Sequence, residues 1–222
     1  MKNLFASVCL FLCASVLHGS AATFSFYTNE SDFLTAVTGK PAYTNTFSTI
    51  AAGGTRLDTN VVNFTNGSSF GYTANIPGVA PATSFWGDTF GGVNALSTGD
   101  PNTDVFVMTN FSLNTLAFGG YFLPTDGVSV VSAGTVTLTT VFADLTSTSV
   151  TNSRASANLN DWFFGWVTDE PGTAVQSVTF TAGTDYASSA NVTLAVPEPS
   201  TYALLGLAAA GLAGYVIRRR RA

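Results

Sequence analysis

Beyond its first 22 residues the chain has no cysteine and no histidine, because Cys9, Cys13 and His18 all lie in that opening segment. Their absence excludes disulfides, a thiol nucleophile, a Ser-His-Asp triad, and zinc held by imidazole or thiolate. Charge is also scarce, at 9% of residues, and positive charge most of all. Between Thr23 and Val196 twelve acidic residues face three basic ones, Lys40, Arg56 and Arg154, a formal balance of minus nine. Such a domain is repelled by nucleic acid, whose binders present basic patches. The acidity serves solubility or can hold Ca²⁺. Carboxylates, hydroxyls, amides and aromatics remain for chemistry.

The two ends differ from the middle. MKNLFASVCLFLCASVLHGSAA has a cation at Lys2, an apolar run from Leu4 to Leu17, and small residues Ser20, Ala21 and Ala22. It reads as a secretory signal peptide over 1–22. At the other end, Pro197 and Pro199 fix φ and keep Val196 and Glu198 out of a helix, so an extended spacer is expected there. From Thr201 to Ile217 the residues are apolar or small, with Tyr202 and Tyr215 as interfacial rings. Arg218, Arg219, Arg220 and Arg221 then form a stop-transfer cluster that keeps the tail cytoplasmic and the preceding domain outside. As a helix this run spans roughly 25 Å, a little less than a hydrocarbon core of about 30 Å. A marginal transmembrane helix is expected.

The middle, 23–196, is rich in Thr, Ser, Gly, Asn, Phe and Val, and its apolar residues come in short runs broken by turn signals. Strands are expected at 23–27, 43–47, 61–64, 69–73, 104–108 and 113–123, and then in VSVV, TVTLTTVF, STSVTN, WFFGWV, VQSVTFTA and NVTLAV. In TVTLTTVF, Val136, Leu138 and Val141 are expected on one face and Thr135, Thr137 and Thr139 in water. One short helix fits NESDFLTAVTGK, capped by Ser31, with Phe33, Leu34 and Val37 as its apolar stripe and Gly39 and Pro41 ending it. Together these predict an all-β domain, a single antiparallel β-sandwich of jelly-roll type, large enough to bury a core without disulfides.

Candidate sites follow from aromatics beside carboxylates, since ring faces stack on sugars while acids and amides meet their hydroxyls. Trp86 stands by Asp88 in SFWGDTF, and Trp162 and Trp166 stand by Asp161, Asp169 and Glu170 in NDWFFGWVTDE. Strand alternation puts Trp162, Phe164 and Trp166 on one face and Phe163 and Val167 on the other, so one set is available to build the core. Asp100, Asn102 and Asp104 in TGDPNTD offer oxygens to calcium. They lack the glycine and closing glutamate of an EF-hand, and an ordinary Asx turn is the better explanation. Glycoside hydrolysis needs only two carboxylates. Threonine rows in TVTLTT and SVTFTAGT suggest ice or surface adhesion, although no long repeat of T-x-T is present.

The ending VPEPSTYALLGLAAAGLAGYVIRRRRA resembles the PEP-CTERM sorting signal of Gram-negative bacteria, a tail also described as an ice-binding protein C-terminal domain. The resemblance covers the last 26 residues, 197–222. It rests on Pro197, Glu198, Pro199 and Ser200, on LLGL at 204–207 and on the basic end. It implies an exosortase, a membrane transpeptidase, as partner, with Pro197, Glu198 and Pro199 as its recognition residues. It also implies transient residence in the inner membrane and delivery to the cell surface or matrix. FFGWVTDEPGTAVQSVTF is similar to the closing strands of PEP-CTERM ectodomains, whose final strand often has Asp before Asn-Val; Ala190 stands there in this chain. The expectation is a non-catalytic module for exopolysaccharide without cofactor, and the alternative is a secreted carbohydrate-active enzyme.

Overall fold

The computed structural model describes residues 24–197, apart from 51–52, 68–69, 79–83, 101–104, 113, 128–129, 156 and 169–173, together with residues 207, 208, 210, 211 and 219. The expected signal peptide, Glu198, Pro199, Arg218, Arg220, Arg221 and most of the expected transmembrane helix lie outside the described residues. Within them no helix is long and apolar enough to cross a membrane.

The chain is all-β, with strands numbered along the sequence. The eight-stranded sheet runs in the order β1 (Phe24–Tyr27), β12 (Phe163–Thr168), β9 (Ala117–Thr125), β14 (Tyr186–Ala195), β7 (Val93–Ser97), β6 (Trp86–Phe90) and β3 (Thr55–Arg56). Its eighth strand, β2 (Ala42–Asn45), pairs with β14 as well. The six-stranded sheet runs β11 (Ser147–Arg154), β10 (Gly134–Phe142), β13 (Val175–Thr181), β8 (Phe106–Thr109), β5 (Phe70–Asn75) and β4 (Val61–Asn66). Both sheets are antiparallel, and they meet through aromatic rings. Phe24 stacks on Phe142 with centroids 3.9 Å apart, Phe122 meets Phe180 at 5.5 Å, and Phe85 meets Phe106 at 5.1 Å. Each buried phenylalanine contributes roughly 1.5–3 kcal/mol, so this ring-filled interior explains how the domain holds without disulfides.

TVTLTTVF shows how one pattern sets both faces. Val136, Leu138, Thr140 and Phe142 of β10 are buried, while Thr135, Thr137 and Thr139 face outward. Val141, expected inside, shares the outward set because strict alternation continues through Thr140, and the register with β13 shifts only after it. The outward hydroxyls meet β11 in rows: Thr135 with Ser153 at 2.7 Å, Thr137 with Thr151 at 3.0 Å, and Thr139 with Ser149 at 3.0 Å. Across the other edge of β10, Thr137 and Thr139 pair with Thr181 and Thr179. Hydroxyl rows that no sequence repeat announces are therefore assembled by strand pairing.

Other expectations need correction. Of VSVV, Val128 and Ser129 lie outside the described residues, Val130 is in no strand, and Val131 makes a single bridge to Thr125. Strands β3, β6 and β7 lie in stretches where no strand is expected. The signal for the last two is Gly91-Gly92, both at positive φ (58° and 85°), which closes a two-residue hairpin with Phe90 opposite Val93. Helix α1 (Glu30–Ala36) is capped by Asn29 rather than Ser31: Asn29 Oδ1 accepts from the N–H of Ser31 at 2.8 Å and of Asp32 at 3.2 Å. Phe33 and Val37 are buried beneath it, while Leu34, expected in the stripe, is exposed.

β14 organises the larger sheet. It pairs with β9 along its length, and on its other side with β7 through residues 188–190 and with β2 through residues 192–195. The switch falls at Asn191, where φ is 47° and the register against β9 shifts. Gly120 makes room for it, since a Cβ there would lie 3.3 Å from the carbonyls of Ala190 and Asn191.

Candidate functional site

Because Phe122 points at the other sheet, Tyr121, Leu123 and Thr125 of β9 point the opposite way, onto the outer face of the larger sheet. Register carries that face across: Leu123 lies opposite Ser188, Ser188 opposite Ser97, and Ser97 opposite Trp86, with Asp88 two residues further on β6. At one end α1 covers this face. At the other it opens into a cavity of about 240 Å³ lined by Trp86, Asp88, Ser97, Thr125 and Tyr186, with the 98–99 and 126–127 segments at its rim.

The floor is a chain of buried hydroxyls. Ser97 Oγ lies 2.7 Å from Ser188 Oγ, which lies 2.7 Å from Thr125 Oγ1, and Thr125 donates a 3.4 Å bond to the Tyr186 carbonyl. Thr98 locks the rim through its Oγ1, which accepts from the Ala187 N–H at 3.1 Å. Gly99 sets the indole: a Cβ there would meet the Ser84 carbonyl at 2.7 Å and Trp86 Nε1 at 3.1 Å, so only glycine lets the rim pass this close. Gly127 lies beside the Tyr186 ring, where a Cβ would make only ordinary contact at 3.5 Å.

Asp88 is buried, 7% exposed, and accepts one hydrogen bond at Oδ1 from the Thr89 N–H at 2.9 Å. Asp126 also lines the cavity and accepts from the Val130 N–H at 2.9 Å. Arg56 lies opposite Trp86 in the register, but its guanidinium is bound to Asp58 at 3.0 Å and to Ser84 Oγ at 3.4 Å.

Of the sequence-proposed residues, the structure brings Trp86 and Asp88 together in the cavity and places Trp162 and Trp166 elsewhere. Trp162, in a short 3₁₀ turn (Leu159–Trp162), and Trp166, on β12, are both buried in the core, 0% and 2% exposed. Trp166 packs on Phe118 at 5.8 Å. These two indoles are structural, because both faces of β12 are covered: one by the second sheet, the other by Phe33 of α1. Asp169 lies outside the described residues, as do Asn102 and Asp104; Asp100 is described and half-buried. Among the described residues no three His, Cys, Asp or Glu side chains gather as a metal site. Tyr186, Ser97, Ser188 and Thr125 escaped sequence reasoning, since buried serines and threonines leave no periodic trace. A second hollow of about 530 Å³, near Asn110, Phe111 and Gln176, has neither indole nor carboxylate among its described lining.

β14 carries the cavity floor and ends at Ala195, after which the Val196 N–H bonds the Pro41 carbonyl at 3.0 Å. There the sorting segment begins: residues 195–221 match the PEP-CTERM protein-sorting motif. The chain is thus a β-sheet domain followed by a sorting tail, and the motif supports an exported protein processed by an exosortase. No curated protein and no solved structure matches the chain.

Proposed function

We propose that the chain is an exported, jelly-roll-like and non-catalytic module that binds polysaccharide at the cell surface or in the biofilm matrix of a Gram-negative bacterium. The carrying observation is the cavity, where an indole and a phenol ring stand beside two carboxylates over a floor of hydroxyls. Concave sites with aromatic walls and a few convergent polar groups suit a ligand with an apolar ring face and a hydroxylated edge. Location comes from the tail. Pro197, Glu198 and Pro199 are recognition residues for the exosortase, and Arg218 to Arg221 hold the precursor in the inner membrane until it is cut.

Two experiments test this reading. Exopolysaccharide from a producing host, immobilised, should retain the protein and retain the Trp86→Ala variant far less; equal retention refutes the site. Glu198→Ala in an exosortase-bearing host should leave unprocessed precursor in the membrane; unchanged surface delivery refutes the sorting role. The second reading, a carbohydrate-active enzyme, draws on the pair Asp88 and Asp126 at one cavity. Release of reducing sugar, abolished by Asp88→Asn, would favour it over binding.

A further inference from the structure

We propose that the sugar seated in this cavity is a terminal amino sugar with a free amine, and that Asp88 is the partner of its ammonium group. The proposal rests on the polysaccharide reading and narrows it to a basic glycan.

Asp88 is the reason. It is more than nine-tenths buried, lines the cavity, and spends only Oδ1 on the protein, through the Thr89 N–H; its Oδ2 has no partner among the described residues. Oδ2 therefore faces the open cavity, and a ring seated over it strips away its water, which is costly unless the ring brings a positive charge. The nearest cation in the register, Arg56, is already committed to Asp58 and Ser84, and no Lys or Arg is among the described lining. A cation brought by the ligand completes the site. A uronate would set a second carboxylate against Asp88 with no Lys or Arg among the described lining to offset it, and a neutral ring would leave Asp88 Oδ2 without a partner. Calcium is a poorer fit, since it takes six to eight oxygens and the described residues gather no three acidic ligands.

Size sets how much of the glycan is seated. The cavity, about 240 Å³, falls below the ~300–1,000 Å³ of pockets that bury drug-sized ligands, so it seats a single ring, which we place at a chain end. Gly99 holds the rim against Trp86 Nε1, which fixes the indole as a wall for that ring while Asp88 addresses its amine.

The test is calorimetric titration of the full-length protein with three disaccharides: β-linked glucosamine, its N-acetylated form, and one ending in glucuronic acid. The amine should bind, with the N-acetylated form weaker by about tenfold and the uronate weaker still, as loss of a charge-assisted bond implies. Asp88→Asn should erase the preference for the amine while leaving the N-acetylated dimer unaffected. It should also melt close to the parent without sugar, since an amide oxygen can still accept from the Thr89 N–H and Oδ2 faces the open cavity. Asp144→Asn, an exposed carboxylate in the β10–β11 turn, controls for bulk attraction and should change nothing. Equal binding of amine and N-acetylated dimers, or an unchanged preference in Asp88→Asn, overturns the amine assignment and leaves the polysaccharide reading standing. Ca²⁺ binding lost in Asp88→Asn, with no preference for the amine, overturns the assignment in favour of a metal. No sugar bound at all overturns both.

Discussion

Gly119 and Gly165 lie directly opposite one another on β9 and β12, and the space left by their missing side chains is the seat of the Phe33 ring. A Cβ on Gly165 would come within 2.6 Å of Phe33 Cδ2, and one on Gly119 within 2.9 Å of Phe33 Cζ. Neither glycine is at positive φ; the need is for room. Gly165→Ala should therefore cost about 1–3 kcal/mol through overpacking, and Phe33→Ala about 3–5 kcal/mol through the void it leaves. Because both act on one contact, the double variant should lose less than the two together in urea unfolding. Strict additivity would mean that α1 docks by some other contact.

A second bond fastens the same helix. The Tyr121 hydroxyl donates to Glu30 Oε2 at 2.6 Å, and burial, together with this carboxylate, holds the phenol well above the ordinary tyrosine value. Tyr72 is raised too, mainly by burial, although the bond from Asn45 Nδ2 at 2.8 Å works the other way. Folding thus favours the protonated phenols. Their contribution is fully present at neutral pH and declines as pH rises past about 10, where unfolded tyrosines ionise. Melting temperature measured against pH should fall more steeply above that point for the parent than for Tyr121→Phe. The variant should lose about 1–2 kcal/mol at neutral pH.

Tryptophan substitutions separate core from site. Trp166→Ala removes a buried indole packed on Phe118 and should cost about 3–5 kcal/mol. Trp86→Ala removes a half-buried ring at the cavity and should cost much less stability while abolishing glycan retention. Fluorescence offers a parallel check: acrylamide should quench Trp86 and leave Trp162 and Trp166 largely protected. Quenching of all three would contradict the burial of β12.

Sequence and structure agree where one physical rule acts alone. TVTLTTVF alternates because one face is wet, so its inward Val136 and Leu138 were readable; Val141 was not, because only the register past Thr140 decides its side. WFFGWV has an unbroken apolar run, the mark of a strand buried on both faces. What covers its second face, that of Phe163 and Gly165, is α1, more than a hundred residues away in the chain; Trp166 lies on the face turned to the other sheet, packed on Phe118, and Trp162 is buried in the turn before the strand. The cavity shows the same division. Trp86 beside Asp88 was visible as a pair, but β6 and β7 mix polar and apolar residues without a clear period, and only Gly91-Gly92 betrays their hairpin. The hydroxyl floor joins Ser97, Thr125 and Ser188, which no local pattern connects.

The outer face of the smaller sheet gives the last prediction. Thr135, Thr137 and Thr139 pair with Ser153, Thr151 and Ser149, and each cross-strand pair of this kind is worth only roughly 0.2–1 kcal/mol. Their larger effect is on solubility. β11 is an edge strand of eight residues with no proline and a single charge, Arg154, at its end, so little besides hydroxyl hydration keeps another chain from adding to it. Replacing the three threonines by valine keeps shape and strand propensity while turning these rows apolar. The triple variant should stay folded, within about 1–2 kcal/mol of the parent, and yet self-associate at concentrations where the parent is monodisperse by light scattering. A variant that stays monodisperse would show that the edge is protected by something other than its hydroxyls.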